Sequence, residues 1–138
     1  MLDSNTTSRR SGMATVELAI LLPLLLTLTF GMIEYGWMFW KAQEVNNAAR
    51  EGVRAAVLPS ATTAAVQTRV NGLMTSAGLG GATYTVTCSP TDVSTAAVGA
   101  EVSVTVVVQY SNVSPVAVPL IPLPATITGT ATMAKEGS

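Results

Sequence analysis

Glu17 stands at the mouth of a long apolar run, "ELAILLPLLLTLTF", behind Arg9, Arg10 and Gly12. A carboxylate in that place can do two things. It can favour the start of a helix, where the aligned backbone dipoles present partial positive charge. It can also pair with a cation, because an ionisable group entering a membrane is costly. The cost is about 2.5–3.5 kcal/mol at the bilayer centre and less toward an edge, so a partner is called for. No basic side chain lies within a helical turn of Glu17. The remaining candidate cation is an amine made by cleavage of the chain, positively charged at neutral pH.

The rest of the side-chain inventory excludes more than it offers. The 138 residues contain no histidine, which removes the commonest general base and metal ligand. There is one cysteine, Cys88, so no intramolecular disulfide can form. Charged residues make up 11% of the chain, against about 25% in ordinary soluble domains. The net charge is −1 and the basic residues are scattered, unlike a nucleic-acid footprint. No phosphate-binding glycine loop, metal-ligand cluster or nucleophile with a base is present. No enzyme activity, cofactor or metal is therefore expected.

The element that must carry Glu17 is a membrane helix. Leu18–Ile33 holds no charge and would span roughly 24 Å, short of the ~30 Å hydrocarbon core. Extension to Trp40 reaches roughly 34 Å and takes in Glu34, Tyr35, Trp37, Phe39 and Trp40. Aromatic rings favour the membrane–water boundary, so the outer interface is expected at residues 34–40 with Glu34 close to water. Arg9 and Arg10 place the N-terminus in the cytoplasm and the C-terminus outside. Pro23 removes one helical hydrogen bond, which membrane helices tolerate. A cleaved secretory signal would need small residues just after the run. The sequence there reads "GMIEYGWMFWK". A twin-arginine signal would need apolar residues directly after the arginines, and these are absent.

The stretch "RRSGMATVEL" resembles a type IV prepilin processing site of the Flp/Tad class. "GMIEYG" (residues 31–36), "NNAAREGVRAAV" (46–57) and "TGTATM" (128–133) are similar to the TadE-like minor pseudopilin family. The resemblance implies cutting by a prepilin peptidase after Gly12, a mature N-terminus at Met13, and Glu17 as the fifth mature residue. Glu17 would then engage the N-terminus of a neighbouring subunit and set the register between subunits. Flp major pilins usually follow that glutamate with tyrosine, and are much shorter. Here Leu18 follows, which points to a minor pseudopilin. The implied partners are the peptidase, a pilus assembly platform and other pilins. The implied place is the bacterial inner membrane, with a role in a Tad/Flp-type pilus or secretion apparatus for adhesion. The alternative is an uncleaved, single-pass anchored binding module outside the membrane.

Beyond the span the fold is expected to be α+β. One helix is predicted from about Ala14 to Leu58, stopped by Pro59. Val45, Ala49, Gly52, Val53 and Ala56 form one stripe of it, expected to pack on the protein's own sheet, with Lys41, Glu44, Arg50 and Arg54 on the opposite side. A second helix is predicted over 60–78, with Ser60 as its cap and "GLGG" as its stop. Three strands follow in "ATYTVTC", "EVSVTVVVQY" and "ATITGTATMA", each with an apolar face and a threonine-rich face. Cys88 falls on the apolar face, as a buried free thiol. Residues 89–99 close a hairpin. Residues 111–124 hold four prolines and serve either as a partner site or as a loop tucked on the sheet edge. The chain divides into a leader (1–12), a transmembrane helix (13–40), its extension (41–58) and an α+β head (59–138). Candidate partner contacts are Glu34, Arg50, Glu51, Arg54, Pro115, Pro119 and Pro122.

Overall fold

The computed structural model describes residues 5–115 and 122–137, with side chains from Gly12 onward. A helix α1 (Asn5–Ala56) is followed by α2 (Thr63–Ser76). Strands β1 (Tyr84–Ser89), β2 (Glu101–Gln109) and β3 (Thr126–Ala134) then form one antiparallel sheet in the order β1-β2-β3. The architecture is the expected α+β, a long helix whose outer part lies on a small sheet.

Helix α1 is longer than predicted at its start. No proline interrupts residues 5–22, and a single glycine, Gly12, costs only about 1 kcal/mol relative to alanine. Pro23 lies inside the helix. The Thr27 and Thr29 hydroxyls donate to the carbonyls of Pro23 and Leu25, each at 2.8 Å, so these polar groups are satisfied within the helix. From Gly12 to Ile33 every residue except Gly31 is exposed. α1 is long and apolar enough over this part to cross a membrane.

The outer part of α1 behaves differently. Val45, Ala49, Gly52, Val53 and Ala56 are all buried against the sheet and α2, as the stripe predicts. Val102, Val104, Val106 and Val108 of β2 face them and are fully buried. Removing such side chains from water contributes about 1.5–3 kcal/mol each. Two glycines permit the approach. A Cβ on Gly129 would stand 2.7 Å from the Val45 carbonyl oxygen, and one on Gly52 would stand 2.7 Å from a Val70 methyl.

The register pairs Val104 with Cys88 and Ala131, and Val106 with Val86 and Gly129, so the small residues of β3 flank the central valines on one side. The other face carries threonines, with the Thr105 and Thr130 hydroxyls 3.2 Å apart across the strands. Val107, the exception to alternation in β2, sits half-buried on this face between Thr85 and Thr128. Cys88 is buried, and its burial raises the thiol pKa.

The second helix departs from its predicted bounds. Pro59 is followed by a turn closed by Ala61 N–H on the Leu58 carbonyl, which leaves Ser60 before the helix. Thr62 is the cap instead, its hydroxyl accepting from Ala65 N–H at 3.2 Å. The helix ends as "GLGG" predicts. Gly78 takes φ +71°, and Leu79 N–H reaches back to the Met74 carbonyl at 2.8 Å. The 89–99 hairpin contains a short 3-10 turn, Val93–Thr95, that buries Val93. Tyr110 leaves β2 and opens a second such turn, Tyr110–Asn112.

Candidate functional site

Gly12 and Met13 lie side by side in α1, both exposed, and no atom stands within 4 Å of where a Cβ on Gly12 would be. Glu17 follows Met13 by four residues, so the two share a helix face. Glu17 is exposed, and among the described residues no side chain pairs with it. The structure thus presents the glycine, the residue after it and the carboxylate together on an open segment of helix.

The second carboxylate of α1 has the opposite fate. Glu34 is 1% exposed, which corrects the expectation that it sits close to water. Its Oε1 accepts from the Tyr110 hydroxyl at 2.8 Å and from the Ser114 hydroxyl. Its Oε2 has no partner among the described residues. Burial, together with the Glu34 carboxylate against it, raises the Tyr110 hydroxyl pKa well above its usual range. Two neighbours reinforce the contact. Tyr35 donates to the Pro122 carbonyl and Trp37 to the Val113 carbonyl, each at 2.7 Å. The turn of α1 at residues 34–37 is therefore tied to both described ends of the proline-rich loop. Val113 and Leu123 pack on the core. Pro115 and Pro122 are exposed, and Pro119 lies outside the described residues.

Lys41 is also buried, at 4% exposure, although the helical pattern places it on the polar side. Its ammonium donates to the Ala77 carbonyl at 2.7 Å, at the C-terminus of α2, and stands over the rings of Trp37 and Trp40. A second lysine does the same for α1. Lys135 is 5% exposed and donates to the carbonyls of Ala56 and Leu58 at 3.0 and 2.9 Å. A cation at a helix C-terminus satisfies orphan carbonyls and complements the dipole.

On the outer face of α1, Glu51 accepts from Arg54 at 3.1 Å and from Arg69 of α2 at 3.0 Å. The Arg69 and Arg54 guanidinium groups hold the Glu51 carboxyl below its ordinary range. Arg50 is exposed beside them and makes no ion pair among the described residues.

The predicted site residues therefore fall into three separate places: the open N-terminal segment, the buried turn at the exit of the span, and the outer ionic face. Sequence reasoning missed Tyr110, Ser114 and Lys135. The signal for Lys135 was available, as a lone cation directly after an alternating strand. The alternation of β2 places Tyr110 on the apolar face, but nothing in the local pattern marks its hydroxyl, or Ser114, as a partner of Glu34. Among the described residues no cluster of metal-binding side chains occurs. No curated protein and no solved structure matches the chain. Residues 12–54, from Gly12 through the exit turn to Arg54, match the family model described as TadE-like protein.

Proposed function

We propose that the chain is a minor pseudopilin of a Tad/Flp-type pilus or secretion apparatus. A prepilin peptidase cuts after Gly12, and the new Met13 amine makes Glu17 the fifth mature residue. Glu17 engages the N-terminus of a neighbouring subunit, which offsets the burial of both charges and sets the axial register. α1 holds the protein in the inner membrane with its head outside, where it joins other pilins and the assembly platform. Its role is that of a structural subunit of an adhesive organelle, not of a catalyst.

The observation that carries this reading is where the family match begins. It starts at Gly12, the residue before the proposed cut. The open helix around Gly12 and the absence of a partner for Glu17 among the described residues support it.

Mass spectrometry of the membrane fraction tests it. A mature chain beginning at Met13, and an uncut Gly12→Leu variant, are expected. Glu17→Ala should block assembly while leaving cleavage intact. A chain that keeps its leader would overturn the processing step and favour the uncleaved anchored module.

A further inference from the structure

An open groove of about 830 Å³ lies between the Trp37–Lys41 turn of α1 and the connection from α2 to β1. Its chemistry is unusual in one respect. The Lys41 ammonium is buried beside it with no carboxylate in ion-pair range among the described residues. An ammonium has three donors, and among the described residues its one hydrogen bond is to the Ala77 carbonyl. The rings of Trp37 and Trp40, at 4.9 and 4.6 Å, offset part of the cost of burying that charge. Glu44, one turn further along, lines the same groove, is half-buried, and has no hydrogen bond or ion pair among the described residues. Two residues of opposite charge thus line one space, with no ion pair between them.

We propose that this groove binds the headgroup of an ethanolamine phospholipid, with the phosphate at Lys41 and the ammonium at Glu44. A zwitterion answers both charges. A bare phosphate or an anionic headgroup satisfies Lys41 and is repelled by Glu44. A choline headgroup has no N–H to donate to the carboxylate. The position of the groove fits a lipid. Tyr35, Phe39 and Trp40 are exposed on the same turns of α1, where aromatic rings mark the membrane–water boundary. The proposal rests on α1 crossing a membrane and is independent of assembly into a pilus.

The chain has two tryptophans, and both line the groove, so their fluorescence reports on it. The full-length protein in maltoside micelles is titrated with dihexanoyl phospholipids bearing ethanolamine, choline or glycerol headgroups, and with inorganic phosphate. A saturable change is expected with ethanolamine, about tenfold weaker with glycerol or choline, and none with inorganic phosphate. Glu44→Gln should abolish the preference between ethanolamine and glycerol headgroups without changing the circular dichroism. Lys41→Gln should lose the response to all three. Because Lys41 also caps α2, Glu44→Gln decides the matter if that variant loses helix. Equal responses to all three lipids in both the parent and Glu44→Gln would overturn the proposal. So would a response to inorganic phosphate as strong as that to the lipid.

Discussion

Two stretches of a single helix follow opposite rules. From Gly12 to Ile33, α1 turns apolar side chains outward on every side. From Val45 to Ala56, the same helix buries a narrow stripe of small residues and exposes its charges. The carboxylates show the difference most sharply. Glu17 is exposed and has no partner among the described residues, whereas Glu34 is enclosed by groups from 76 and 80 residues away. The inner half leaves its packing to whatever surrounds it. The outer half is completed by its own chain. A helix continuous through both therefore joins a segment whose energetics depend on its surroundings to a head that is self-sufficient.

The largest effect should come from overfilling the contact that defines the outer half. Gly129→Leu drives a side chain into the backbone at Val45 and is expected to cost about 3 kcal/mol or more in urea unfolding. The comparable enlargement Ala19→Leu, on the exposed inner half, should leave that transition unmoved. If both shift it alike, the two halves are not independent. Lys135→Met comes next. It strips the charged donor from the end carbonyls of α1 and is expected to destabilise the head by about 2–3 kcal/mol. Amide exchange should accelerate at residues 53–58 first.

Tyr110→Phe tests the joint between the halves. Loss of one donor to Glu34 should cost about 1.5 kcal/mol and raise exchange at residues 34–38 while the sheet stays protected. The smallest effect belongs to the ionic face. The Glu51 carboxyl is held below its ordinary 4.5 by Arg69 and Arg54. Its contribution is therefore present above that value and lost as the pH falls through the lowered one. Glu51→Gln should leave stability at pH 7 nearly unchanged, because exposed pairs are screened by solvent and salt. It should flatten the acid limb of the unfolding profile below about pH 4.5.

The parts legible in the sequence share a cause. The alternation around Val102–Val108 and the spacing of Val45, Ala49 and Val53 are local, so a period suffices to find the buried face. The "GLGG" stop of α2 is equally local. Lys41 and Glu34 were read as solvent-facing because a local pattern assigns charge to the outside, and Lys135 was not singled out at all. Their partners are distant: Ala77 is 36 residues from Lys41, Tyr110 is 76 from Glu34, and Ala56 is 79 from Lys135. The described ends of the 111–124 loop do tuck Val113 and Leu123 inward, but the anchoring polar contacts were not legible in the sequence. These ends close on the exit turn of α1, through Trp37 and Tyr35, because the indole and phenol need acceptors that the loop carbonyls supply.

Those same three ties, at Glu34, Tyr35 and Trp37, make the junction mechanically stiff. α1 then acts as a crankshaft. Each residue of an α-helix advances about 1.5 Å and turns about 100°. One residue inserted between Pro23 and Ile33 would rotate the whole head by that angle against the inner half, with the ties at Glu34, Tyr35 and Trp37 kept. The head's bearing about the helix axis is thus counted out, residue by residue, by the exposed stretch that precedes it.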